Sequence, residues 1–125
     1  MKKILVAEDE EINYLYIEEL LSNFDNVTIL RAITGTEVVE MVKAQNDIDL
    51  VLMDIKMPVM NGYEATKVIK ELRPGLPVVA QTAYAMPGDE TLSMQAGCDA
   101  YISKPIQKER FIYLINTFLH RKQQN

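Results

Sequence analysis

Four short apolar runs punctuate the chain: Ile4-Leu5-Val6-Ala7, Leu50-Val51-Leu52-Met53, Val78-Val79-Ala80 and Ala100-Tyr101-Ile102. Unbroken apolar runs of this length suit strands covered on both faces. A further strand is read from Val27 to Arg31 or Ala32. Between the strands the period changes. Ile17, Leu20, Leu21 and Phe24 follow the i, i+3, i+4, i+7 spacing of one helix face, and so do Ala65, Val68, Ile69 and Leu72. Thr34-Gly35-Thr36-Glu37 reads as a capping box opening a helix whose inner face includes Val38, Met41 and Val42. Arg73-Pro74-Gly75 stops the helix before it. A segment from Gly88 to Ala96, closed by Gly97, has only Leu92, Met94 and Ala96 as apolar residues, with no broad stripe. Its weak burial predicts low local stability. The last helix gathers Phe111, Leu114, Ile115 and Phe118 on one face. Alternating strands and helices imply a doubly wound α/β sandwich, a parallel sheet with helices on both faces.

In such a sheet, functional groups collect beyond the carboxyl ends of the strands. The residues found there are Glu8 and Asp9 after the first run, Asp54 after the third strand, Thr82 after the fourth and Lys104 after the fifth. An Asp ending a strand is by itself an ordinary turn residue; the joint placement of all five is what points to a site. The first strand–helix turn, Ala7-Glu8-Asp9-Glu10-Glu11, has no glycine, and no Walker motif occurs, so neither familiar phosphate loop is present. An acidic turn repels phosphate unless a cation intervenes. Two carboxylates about 4 Å apart repel by roughly 4 kcal/mol at an effective dielectric of about 20, so one must protonate or a cation must bind. Oxygen donors with few protein ligands suit Mg²⁺, and Lys104 adds a second, movable positive charge.

Composition narrows the remaining classes. The chain has 125 residues, 48% hydrophobic and 25% charged, with a net charge of −5; a single domain spanning 1–125 is expected. That charge argues against direct binding of nucleic acid or an anionic membrane. Lys2-Lys3 and Arg121-Lys122 read as solvated ends. No apolar run approaches the roughly 18 residues of a membrane span, and no signal-peptide core follows Lys2-Lys3. The single cysteine, Cys98, has no partner for an internal disulfide, fits a reducing cytoplasm and reads as a small core or loop residue. His120, the one histidine, reads as a solvated helix-end residue.

The chain closely resembles the receiver domain of two-component response regulators over essentially its whole length. The matching segments are Ile4-Leu5-Val6-Ala7-Glu8-Asp9-Glu10, Asp54-Ile55-Lys56-Met57-Pro58-Val59-Met60-Asn61-Gly62-Tyr63-Glu64, Gln81-Thr82-Ala83-Tyr84-Ala85 and Ser103-Lys104-Pro105. The resemblance implies a (βα)5 fold with strand order 2-1-3-4-5. It implies that Asp54 accepts a phosphoryl group from a phosphohistidine on a histidine kinase or phosphotransfer protein. Glu8 and Asp9 match the acidic pair that organises Mg²⁺, and the Lys56 carbonyl matches the remaining protein ligand beside Asp54. Thr82 and Lys104 match the groups that bond the phosphoryl oxygens, and Tyr101 the aromatic switch position. The Lys104–Pro105 bond is expected to be cis. Lys56 and Tyr84 hold the positions that tune phosphoryl lifetime, and the small Ala83 leaves room for the phosphodonor. Met57, Pro58, Met60 and Gly62 shape the loop after Asp54. Glu8 stands where Asp is commoner, which touches only fine metal geometry.

Phosphorylation would then switch the surface around the fourth and fifth strand–helix units: Thr82 moves in, Tyr101 fills the space it leaves, and a downstream protein target reads the change. A Mg²⁺-dependent aspartyl phosphatase of the haloacid-dehalogenase type is the rival reading, but it needs a second Asp two residues after the nucleophile, where this chain has Lys56. A phosphorylation-independent binding module is the other, against which all five site residues are intact. Only His120 to Asn125 follow the last helix, so the output is expected to run through protein contacts, from a stand-alone receiver or one piece of a longer chain. The stretch Gln81 to Glu90 looks most like receivers attached to hybrid histidine kinases.

Overall fold

The computed structural model describes residues 1–82 and 88–120. Five strands, β1 (Lys2–Ala7), β2 (Val27–Ala32), β3 (Leu50–Asp54), β4 (Val78–Thr82) and β5 (Ala100–Ser103), alternate with five helices. The helices are α1 (Glu11–Leu21), α2 (Gly35–Ala44), α3 (Gly62–Leu72), α4 (Asp89–Ala96) and α5 (Lys108–Leu119). All neighbouring strands pair in parallel, in the order β2-β1-β3-β4-β5. This is the expected doubly wound order. The chain reverses direction across the sheet between β1 and β3, the place where such folds open a crevice.

The apolar runs end up where two-sided burial requires them. Every residue of β3 and β4 is buried, and so are Ile4 to Ala7 of β1. The outer strand β2 is half-buried over most of its length. Ile4, Val6, Leu50, Leu52, Val79 and Ile102 face α1 and α5, meeting Ile17, Leu20, Leu21, Phe111 and Ile115. Leu5, Ala7, Val51, Met53, Val78 and Ala80 face the other way, against Val38 and Val42 of α2 and Ala65 and Ile69 of α3. Each side chain's face follows from the two-residue period of the strands.

Local expectations fare unevenly. The α3 stripe is rotated from the one predicted: its buried face is Gly62, Ala65, Thr66 and Ile69, and Leu72 is 45% exposed. Thr66 can turn inward because its Oγ1 donates to the Gly62 carbonyl at 2.7 Å, which satisfies the hydroxyl without a distant partner. At α2, the Thr34 Oγ1 accepts from the Glu37 amide at 3.0 Å as foreseen, but the Glu37 carboxylate takes the Ile33 amide instead of that of Thr34. The reciprocal capping box is at α3, between Asn61 and Glu64. Phe24 lies just past α1 and is half-buried. Lys3 is no solvated end: its Nζ lies 2.7 Å from Asp47 and donates to the Gln45 side-chain oxygen Oε1 at 3.1 Å. Arg121 and Lys122 fall outside the described residues, as do Ala83 and Tyr84.

Helix α4 is as weakly anchored as its sequence suggests. Leu92 and Met94 are half exposed, and the inward positions are Ser93 and Ala96. Gly97 closes it at φ 105°. Cys98 is buried, its thiol 3.8 Å from the Thr66 hydroxyl. His120 is exposed at the end of α5.

Candidate functional site

Three strand ends build the site. Asp54 and Thr82 are the last residues of β3 and β4, and Glu8 directly follows β1, bonded through its amide to the Ala32 carbonyl at 2.9 Å. The carboxylate oxygens of Glu8, Asp9 and Asp54 gather within 4.8 Å of one another. Glu8 is wholly buried, Asp54 is 4% exposed and Asp9 faces solvent. The Lys104 amide bonds the Thr82 carbonyl at 2.7 Å, which hangs the β5–α5 turn on the end of β4. From there the lysine reaches across β4, placing Nζ 3.0 Å from Glu8 Oε1 and 3.6 Å from Asp54 Oδ2. The Lys104–Pro105 bond is cis, as expected.

The charges are uneven. Burial, then the neighbouring Asp54 carboxylate, push the Glu8 carboxyl up from 4.5 to about 7, and Lys104 opposes the rise only in part. The crowding of carboxylates around Glu8 therefore favours either a proton on Glu8 or a bound cation. Hard oxygen donors, one of them solvent-facing, fit Mg²⁺, which keeps several of its waters. Glu8, Asp9, Asp54 and the Lys56 carbonyl are the groups available to hold it.

Asp54 itself is positioned by its own loop. Its Oδ1 accepts the Lys56 amide at 3.0 Å. Two glycines let the surrounding backbone close in: a Cβ on Gly62 would stand 2.5 Å from the Asp54 carbonyl, and one on Gly35 would collide with the Met60 carbonyl. Met57 is buried and Met60 half-buried, so the loop is braced as the sequence suggests. Val59 forms the tip, at φ 71° and 86% exposed, with the Met60 amide bonded to the Pro58 carbonyl at 2.8 Å. That two-residue bond with a positive φ is a γ-turn, an uncommon and strained conformation for a β-branched residue.

Thr82 is buried, and Tyr101, half-buried, packs against the α2–α3 cluster. The register sets Tyr101 opposite Ala80 and Ser103 opposite Thr82, so Thr82 and Tyr101 are diagonal neighbours on one face. Of the predicted site residues, Glu8, Asp9, Asp54 and Lys104 bring their side chains together, and Lys56 bonds Asp54 through its amide; Thr82 ends the neighbouring strand, and Tyr101 lies one step down the sheet.

Two features were not foreseen. Arg31, at the end of β2, donates from Nε to the Glu8 carbonyl at 3.2 Å and from Nη2 to the Asp9 carbonyl at 3.4 Å, and it stacks on the Tyr14 ring at 4.5 Å. It pins the acidic turn from outside. A basic residue next to the end of a mostly apolar strand was the available signal. The second is Gln81, 3% exposed beside Asp54, a polar residue interrupting a buried strand.

On the α1 side, Asn13, Tyr16, Ile17, Lys104, Pro105 and Ile106 line a cavity of about 140 Å³. Ile12, Leu15 and Tyr16 present an exposed apolar edge of α1, at 83%, 52% and 42% exposure. No helix among the described residues is long and apolar enough to cross a membrane.

Comparison with known proteins agrees with this geometry. A family model for the response regulator receiver domain matches residues 4–116. The polar-differentiation response regulator DivK of Brucella ovis is 42% identical over 121 residues, covering 94% of this chain and 96% of DivK. The receiver domain of the sensor histidine kinase PA1611 from Pseudomonas aeruginosa, solved with a magnesium ion in its active-site cleft, superposes with a TM-score of 0.86. It is 29% identical, over 96% of this chain and 98% of that one. The receiver domain of Ssk1 from Saccharomyces cerevisiae, solved with the histidine phosphotransfer protein Ypd1, gives a TM-score of 0.83 at 25% identity, over 94% and 88% of the two chains. With its strand order, its crevice of acidic side chains and its family match in agreement, this chain belongs to the response regulator receiver domains of two-component signalling, which are regulatory domains and not classical enzymes.

Proposed function

We propose that this receiver takes a phosphoryl group from a phosphohistidine onto Asp54. The observation that carries the reading is the setting of Asp54: a nearly buried carboxylate, one oxygen held by the Lys56 amide and the other facing Lys104 at 3.6 Å, beside two further carboxylates. A carboxylate oxygen attacks phosphorus as the bond to the donor imidazole breaks, the bonding pair leaves with the imidazole, and a mixed anhydride forms on Asp54. Phosphoryl transfer asks mainly for positioning and charge neutralisation. Bound at Glu8, Asp9, Asp54 and the Lys56 carbonyl, Mg²⁺ would neutralise charge on the transferred group. Lys104 would shift from Glu8 to a phosphoryl oxygen, and the Thr82 hydroxyl would donate to another.

The output follows from the same contacts. Phosphorylation adds about −1.5 to −2 charge units and three acceptor oxygens. Drawing Thr82 toward them vacates space on the face it shares with Tyr101. The loosely held α4 next to β5 is the element free to respond, and a downstream protein is the proposed reader. The donor is proposed to be a histidine kinase or histidine phosphotransfer protein that docks on the α1 edge of Ile12, Leu15 and Tyr16, above the cavity at Lys104. A reduced, buried Cys98 supports a cytoplasmic setting. We take residues 1–125 as a single receiver domain.

The test is labelling. With Mg²⁺ and a radiolabelled phosphohistidine donor, the wild type should take up label and Asp54→Asn should not, although its circular dichroism is native. Full labelling of Asp54→Asn would end this reading.

A further inference from the structure

The acidic turn between β1 and α1 has few holds of its own. Glu8, Asp9, Glu10 and Glu11 follow one another without a break, and like charges so close push a turn open. The Glu8 amide bonds the Ala32 carbonyl at 2.9 Å, and the Glu10 amide bonds Glu8 Oε2 at 3.3 Å. No side chain among the described residues caps α1 at Glu10. The Glu10 bond draws on a carboxylate that a metal would also use, so the two compete. Asp9, exposed on this turn, must nevertheless keep a carboxylate oxygen within 4.8 Å of those of Glu8 and Asp54.

Arg31 supplies the hold from β2. Register sets it opposite Val6, on the face toward α1. Its guanidinium forks over two successive carbonyls, Nε to Glu8 at 3.2 Å and Nη2 to Asp9 at 3.4 Å, while the Tyr14 ring of α1 stacks on it at 4.5 Å. One side chain thereby ties the ends of β1 and β2 to the start of α1. Both bonds go to backbone oxygens, so neither competes with a cation for the carboxylates. A planar fork fixes two acceptors at once, which a lysine ammonium does not.

We propose that Arg31 is a positioning residue for the metal: by holding the Glu8 and Asp9 carbonyls it sets the acidic turn, and Asp9 with it, before Mg²⁺ arrives. The inference rests on the crevice binding Mg²⁺. Its sign is opposite to that of plain electrostatics. A cation beside a metal site repels the metal, so charge alone predicts tighter binding once Arg31 is removed. Preorganisation predicts weaker binding, because part of the binding free energy then goes into ordering the turn.

Mg²⁺ titrations followed by ¹H–¹⁵N NMR decide it. Arg31→Gln should weaken Mg²⁺ binding about fivefold, the worth of one typical hydrogen bond. Arg31→Lys keeps the charge but loses the fork, and should recover little of that. Tyr14→Leu should weaken binding about threefold by removing the stacked ring, whereas Tyr14→Phe, which keeps the ring, should bind as the wild type does. In metal-free Arg31→Gln the amides of residues 8–10 should exchange faster with solvent while those of Asp54 and Lys56 keep their rates; a residue that merely stabilised the fold would speed all of them. Unchanged or tighter Mg²⁺ binding by Arg31→Gln overturns the inference and leaves the crevice as the metal site. Full recovery by Arg31→Lys overturns it too, since charge would then suffice. If the wild type itself shows no saturable response to Mg²⁺, the metal reading fails and the inference falls with it. Should Arg31→Gln not fold, the Tyr14 pair decides: equal affinities of Tyr14→Leu and Tyr14→Phe overturn the inference.

Discussion

Without metal, this protein should lose stability as pH rises through neutrality, because of Glu8. The side chain is wholly buried, and burial together with Asp54 lifts its carboxyl from 4.5 to about 7 in the folded state. Between those limits the native protein keeps a proton that the unfolded chain has released. The stabilisation is fully present below pH 4.5 and is lost as pH climbs through about 7. At 1.36 kcal/mol per pH unit, a shift of this size is worth about 3 kcal/mol. Glu8→Gln imitates the protonated side chain at every pH and isolates the effect from other titrating groups. Urea unfolding in EDTA, followed by circular dichroism from about pH 5 to about pH 8, should show the variant gaining about 3 kcal/mol over the wild type as pH rises. Saturating Mg²⁺ should narrow that gap, since a ligand bound only to the folded state stabilises it by mass action. Parallel stability profiles for the two proteins would show that Glu8 keeps no proton, and the charge account of the crevice would be wrong.

Asp9→Ala should weaken Mg²⁺ affinity at least tenfold by calorimetry, about 1.4 kcal/mol, while raising metal-free Tm as one of three clustered carboxylates goes; unchanged affinity would remove Asp9 from the ligand set. Gly62→Ala should cost about 2 kcal/mol in urea unfolding and slow labelling of Asp54, because its Cβ would press on the Asp54 carbonyl from 2.5 Å. Val59→Gly should raise stability by up to about 1 kcal/mol, relieving a β-branched residue at φ 71°; a loss would show that the γ-turn is not strained. Thr82→Ala should still accept label at Asp54 but fail to pass the change on, leaving Tyr101 and α4 amide shifts unmoved by Mg²⁺ and beryllofluoride.

Much of the site was legible because it sits where buried strands stop. An apolar run fixes a strand's course, and the polar residue that ends it marks the crevice; Glu8, Asp54, Thr82 and Lys104 were readable on those grounds. Their partners were not. Distances across β4 decide that Lys104 pairs more closely with Glu8 than with Asp54, and no sequence spacing carries that. The pinning of the acidic turn by Arg31 depends on β1–β2 register in the same way. Leu72 misled because apolar spacing marks a helix stripe but not which side of it meets the sheet; Thr66 moved the buried face by bonding its own backbone. The Asn61–Glu64 capping box, by contrast, was present in the letters Asn61-Gly62-Tyr63-Glu64 and overlooked.

The central claim is that Asp54 carries the phosphoryl group, and chemical trapping reads that position directly. Protein phosphorylated with Mg²⁺ and a phosphohistidine donor is reduced with borohydride, which converts an acyl-phosphate aspartate to homoserine, and its peptides are sequenced by mass spectrometry. Homoserine at position 54 alone, and none when Mg²⁺ is withheld, is the predicted result. Conversion at Asp9 or any other carboxylate with position 54 still aspartate would contradict the account.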